Sequence, residues 1–60
     1  MKNIDFKIAR IKKNLRQIDI SFKTGISTSL LSIYENGLKV PPPEHAKQIN
    51  AVLNEKVFDI

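Results

Sequence analysis

The stretch "TGISTSLLSIYENG", Thr24 to Gly37, decides the fold. It opens on a turn signal, continues at helical spacing and closes on glycine. Gly25 stands just past the segment before it, where glycine supplies left-handed backbone at no steric cost. Ser27 is a favoured N-cap, because its hydroxyl can accept from a free backbone N–H. Beyond it, Leu31 and Tyr34 lie three apart and face one way, with Leu30 near the edge. Thr28, Ser29, Ser32 and Ile33 lie toward the other side. One side of this helix is built for burial; the other is small and hydroxyl-bearing, which suits either water or an external partner.

Toward the N-terminus, Gln17 to Lys23 reads as a short helix, with Ile20 inward and Ser21 small enough to let another helix approach. Before it, about Ile4 to Asn14, the residues Ile4, Ile8, Ile11 and Leu15 are spaced by four, three and four. That spacing predicts a helix with an inward stripe. Lys7, Lys12 and Lys13 occupy its other faces, and Asn3 or Asp5 is placed to cap it. Toward the C-terminus, "GLKVPPP" is a loop. A fourth helix starts near Pro43-Glu44, where a first-turn proline loses no needed N–H. Ala46, Ile49 and Leu53 form its stripe. The tail "NEKVFDI" offers Val57, Phe58 and Ile60 for one more helical turn. The β-branched residues sit at helical rather than alternating spacing, so the expected class is all-α, four to five helices in a single domain over 1–60.

A chain of 60 residues buries only about 60% of the surface its unfolded form exposes, so its stability is marginal without staples. It has no cysteine, hence neither disulfide nor thiolate metal site. Apolar content of 42% is too high for disorder. No apolar run approaches the roughly 20 residues of a membrane span, and the N-terminus lacks the apolar stretch of a secretory signal. The expectation is a soluble, cytoplasmic protein with no membrane partner. Residues 1–40 carry eight of the ten basic residues but only three of the six acidic ones. A positive field over the first two thirds makes a polyanion the leading partner.

Two short helices around a glycine turn form a helix-turn-helix. The run "LRQIDISFKTGISTSLLSIYENGLKVP" resembles the Cro/repressor-type, or XRE-type, family of phage and bacterial transcriptional regulators. The resemblance rests on Gln17 opening the second helix, Ile20-Ser21, Gly25, Ile26, Ser27, Leu31, Ser32, Tyr34, then Glu35-Asn36-Gly37 and Pro41; Ile49, Leu53 and Val57 extend it. It implies a compact lambda-repressor-like DNA-binding domain whose helices 2 and 3 form the motif, with helix 3 in the major groove of double-stranded DNA. Carried over by position, Gln17, Thr28, Ser29 and Ile33 would face bases or adjacent phosphates, with Ser27 and Ser32 on the same surface. Asn36 and Lys39 would meet phosphate. Arg10 would pair with Glu35, and Leu31 and Tyr34 would be core. The chain departs from the pattern at Ser21, usually alanine, and at Ile18 and Phe22, commonly polar. A fifth helix ending at Ile60 would be very short.

From Ser27 to Glu35 there is no Arg, Lys, Asn or Gln. The bidentate contacts that best discriminate guanine or adenine are therefore missing from this helix. Hydroxyls can bond to any base, and the Thr28 methyl and Ile33 suit thymine methyls. Gln17 is the main amide available. Lys12, Lys13 and Arg16 read as a solvated face from which some residues reach phosphates. Ile18 and Phe22, four apart, are expected to be covered within the chain, for instance by Phe6; otherwise they form a partner patch. The tail with Phe58 and Ile60, and the loop Leu38 to Pro43, are the expected homodimer contacts. His45 has no neighbouring ligand residues. No catalytic constellation, cofactor motif or metal site is present, and no small-molecule ligand is expected. The reading is a sequence-specific DNA-binding transcriptional repressor acting as a homodimer. The alternative is a protein-interaction module, such as an antitoxin-like partner, using the Ile18–Phe22 face.

Overall fold

A computed structural model describes the backbone of residues 4–59 and the side chains of 6–59. Its order is α1 (Ile4–Lys12), α2 (Gln17–Thr24), α3 (Thr28–Glu35) and α4 (Pro43–Leu53), with no strand among the described residues. Each boundary has a local cause. Asp19, in the first turn of α2, accepts from the Arg16 backbone N–H at 2.8 Å. An acid there also suits the helix dipole. The helix ends at Gly25, whose φ is 79° and whose N–H donates to the Ser21 carbonyl at 2.8 Å. Thr24 staples the turn: its hydroxyl donates to the Ile20 carbonyl at 2.7 Å and accepts from the Ile26 N–H at 3.1 Å. Ser27 caps α3 by accepting from the Leu30 N–H at 3.2 Å. Pro43 opens α4, and Asn54, at φ 53°, closes it in left-handed conformation.

A Cβ added at Gly25 would meet nothing within 4 Å. Gly25→Ala should therefore test backbone conformation alone. It is expected to cost about 1 kcal/mol, which lowers Tm by about 4–8 °C in a domain of this size. An unchanged melting curve would mean that the left-handed turn is not required.

The core is drawn from every element: Phe6 and Ala9 of α1, Ile20 of α2, Ile26 of the turn, Leu31 and Tyr34 of α3, Ala46, Ile49 and Leu53 of α4, and Val57 and Phe58 beyond it. The expected inward stripe of α1 is corrected by this arrangement. Ile8 and Ile11 are exposed, while Phe6 and Ala9 point inward. At 100° per residue the two pairs lie on opposite sides of the helix. The Phe6 ring packs edge-on against Phe58 at 5.8 Å, and Arg10, next to Phe6 on the same side, reaches Glu35 of α3. An aromatic anchor and an ion pair thus outweigh two isoleucines in setting how the helix is turned. Leu15 is half-buried against the core. The Ile4 and Asp5 side chains, Asn3 and Ile60 lie outside the described residues.

Two further expectations are corrected. Ile18 and Phe22 are not covered by Phe6, which is wholly in the core; Phe22 is 85% exposed. The tail forms no fifth helix among the described residues. Instead, Asn50 of α4 holds it directly. Its Oδ1 accepts from the Val57 and Phe58 N–H groups at 2.9 and 3.1 Å, and its Nδ2 donates to the Phe58 carbonyl at 2.8 Å. A side chain thereby replaces the hydrogen bonds that a helical turn would have supplied.

Candidate nucleic-acid interface

α3 is pinned at both ends. Ser27 and the Thr24 turn fix its start. At its finish, Arg10 Nε and Nη2 donate to Glu35 Oε2 and Oε1 at 3.0 and 3.1 Å, a two-pronged pair. Arg10 Nη1 also donates to the Leu15 carbonyl at 3.1 Å, just past the end of α1. The two side chains are only 14% and 8% exposed. One residue before Glu35, the Tyr34 hydroxyl lies 2.8 Å from His45 Nδ1 of α4. Leu31 and Tyr34 bury the inner side of α3. Its outer side therefore has a fixed orientation relative to α1 and α4.

On that outer side Ser29 is exposed, and Thr28 and Ser32 are half-exposed. Asn36 is exposed, with Nδ2 donating to Ser32 Oγ at 3.4 Å. Lys39 is exposed in the following loop, and Gln17, at the start of α2, is half-exposed. Ile33 is half-buried and packs against the core, so only part of it faces outward. Ser27 has already committed one lone pair to its cap, but its O–H remains available to donate.

The electrostatics follow from what is neutralised. The single acid of α3 is Glu35, and Arg10 occupies both its oxygens. No unpaired carboxylate of α3 is left to repel phosphate. Lys13, Arg16, Lys23 and Lys39 are exposed. The pairs Lys12–Glu55 at 3.9 Å and Arg16–Asp19 at 3.5 Å involve exposed cations, and such contacts are weak and easily exchanged. Among the described residues there is no metal-binding cluster of His, Cys, Asp or Glu, and no helix is long and apolar enough to cross a membrane.

Asp19 gives this region a pH dependence. The Arg16 backbone hydrogen bond holds its carboxyl below the usual value near 3.8, aided by the Arg16 side chain and the Arg16 and Lys23 charges. A lowered folded pKa means that the contribution is complete above the unfolded value and disappears as pH falls through the folded one. Asp19→Asn should therefore lower Tm relative to the unaltered chain near neutral pH, and the difference should vanish in acid below pH 3.8. Parallel Tm profiles across that range would refute this assignment of the cap.

A family model described as helix-turn-helix matches residues 6–60. The chain belongs to that family, in its Cro/XRE type. No curated protein and no solved structure matches it. The helix-turn-helix here is α2, the Thr24–Gly25 turn and α3, and the all-α architecture fits the family's compact fold. Membership makes this a DNA-binding regulatory domain, of a family that is typically non-enzymatic.

Three hydrogen-bonding roles around the motif lie outside the helical spacing pattern. Thr24 has a hydroxyl two residues before a buried residue that follows glycine, which is the signal for a side-chain staple. Leu15, at a stripe position and half-buried against the core, also offers its carbonyl to Arg10, a role invisible to any residue-type argument. Asn50 sits among apolar stripe positions on α4, and an amide there is a signal for a buried polar role.

Proposed function

We propose that this helix-turn-helix domain lays α3 in the major groove of double-stranded DNA, as a homodimeric repressor of transcription. Gln17, Ser27, Thr28, Ser29, Ser32 and the outer edge of Ile33 meet base edges and neighbouring phosphates; Asn36 and Lys39 meet phosphate. One observation carries the reading. The outer side of α3 is small and hydroxyl-bearing, and its only carboxylate is already bound by Arg10. Hydroxyls donate to phosphate or base acceptors alike, so discrimination lies toward the low end of ~1–3 kcal/mol per mismatched pair. Flanking cations supply most of the affinity, and each phosphate neutralised steepens the salt slope by about 0.9.

Dimerisation doubles a small set of contacts and places half-sites about 34 Å apart. The exposed Leu38 and Val40 of the loop before α4 are suited to that contact. Phe58 is not, because its ring is buried in its own core. Repression follows where such a site overlaps a promoter.

The test is selection of bound sequences from a random duplex pool, followed by titration at two salt concentrations. The selected sites should be two-fold symmetric and the binding steeply salt-dependent. Thr28→Ala combined with Ser29→Ala should flatten the sequence preference while leaving the melting curve in place. Salt-independent binding, or none, would favour a protein-interaction module; an unchanged preference in the double variant would remove Thr28 and Ser29 from the site.

A further inference from the structure

α1 is apolar on two opposite sides. Its inner side, with Phe6 and Ala9, enters the core, and Arg10 beside them reaches α3. Its outer side carries Ile8 and Ile11, 49% and 58% exposed. They lie three apart and so touch on the helix surface. Lys7 is four residues before Ile11 and Lys12 four after Ile8, so each isoleucine has a lysine as its neighbour on the outer flank. Both lysines are exposed. The result is a small apolar patch with a cation at each of two corners, facing away from α3.

We infer that this outer face of α1 docks an acidic amphipathic helix of a partner protein, and does so while α3 is on DNA. Charge chooses the occupant. The sequence of α1 holds Lys7, Arg10 and Lys12 against Asp5 alone, and Arg10 is taken by Glu35. A second copy packed across this patch would bring lysine against lysine, and DNA would meet two isoleucines where it needs donors. A partner helix with an apolar stripe between carboxylates matches both features: its stripe covers Ile8 and Ile11, and its acids meet Lys7 and Lys12. The Lys12–Glu55 contact, at 3.9 Å between exposed groups, is loose enough to be exchanged for such an acid.

The probe is a synthetic helical peptide about 15 residues long, with leucines on one stripe and glutamates on its flanks, titrated into the isotope-labelled full chain and followed by amide chemical shifts. Shifts should centre on residues 7–12. Ile8→Gln with Ile11→Gln should weaken binding by about tenfold or more, with an unchanged melting curve and unchanged DNA binding. Lys7→Glu with Lys12→Glu should transfer preference to the same peptide carrying lysines for glutamates. The proposal is overturned if the peptide settles on Ile18 and Phe22 or on Leu38 and Val40, or if the lysine peptide binds the unaltered chain equally well. It also fails if nothing binds, or if raising the concentration of the chain alone shifts residues 7–12 as the peptide does. DNA binding on the same samples is scored separately, so loss of this inference leaves the reading of α3 intact.

Discussion

Arg10→Ala is expected to remove about 3 kcal/mol of folding stability, the low end for breaking a buried ion pair. A domain of 60 residues has only about 3–9 kcal/mol in total, so the variant should be partly unfolded at room temperature. The loss has two sources. Glu35 is left with a carboxylate 8% exposed and no cation, and the Leu15 carbonyl loses its Nη1 donor. Glu35→Ala should cost somewhat less, because Arg10 would still donate to Leu15. Replacing both charges by apolar residues of similar volume, Arg10→Met with Glu35→Leu, should recover most of the stability. The desolvation penalty then disappears along with the attraction. Urea titration of the four chains reads this cycle directly. If the double replacement is as unstable as Arg10→Ala, the pair contributes more than it costs to bury, and this account of it fails.

The same pair explains why the sequence was legible in some places and not in others. α2, its turn and α3 were readable because their determinants are local: glycine for a left-handed φ, serine for a cap, and hydrophobic residues three apart on an eight-residue helix. α4 was readable for the same reason, with proline at its start and Ala46, Ile49 and Leu53 on one stripe. α1 misled because spacing cannot say which of two apolar sides is inward. Ile8 and Ile11 obey helical periodicity as well as Phe6 and Ala9 do. The choice between them is made by residues distant in sequence, Phe58 and Glu35. Ile18 and Phe22 misled in the opposite sense. Four apart, they resemble a buried pair, yet Ile20 alone carries the inward side of α2. Among the groups proposed to meet DNA, Ser29, Asn36 and Lys39 are exposed. Ile33 departs from them, being half-buried against the core. The tail was unreadable as other than a helix because an asparagine side chain, together with a tight Val57–Glu55 backbone turn, supplies its hydrogen bonds in place of a helical ladder.

That tail supplies the second large effect. Asn50→Ala leaves the Phe58 N–H without its acceptor and the Phe58 carbonyl without its donor, while the Val57 N–H keeps only the Glu55 carbonyl at 2.9 Å. Unsatisfied buried groups cost about 1–3 kcal/mol each where water cannot replace the partner. Backbone at the end of the chain can partly rotate toward water, so a net loss of about 2–3 kcal/mol is expected. Phe58→Ala should cost about 3–5 kcal/mol, as for other large-to-small changes in a core. Its ring is buried and packs edge-on against Phe6, so the loss should spread beyond the tail. α1 would then lose its aromatic anchor, and amide exchange in Phe6 to Arg10 should accelerate along with that of Val57. Asn50→Asp separates the contributions. It keeps an acceptor for the two N–H groups but sets an oxygen against the Phe58 carbonyl, and its stability should fall between Asn50→Ala and the unaltered chain. A Phe58→Ala chain that melts within about 1 kcal/mol of the original would mean that the tail lies on the core without belonging to it. The orientation of α1, and with it the outward placement of Ile8 and Ile11, would then need a different cause.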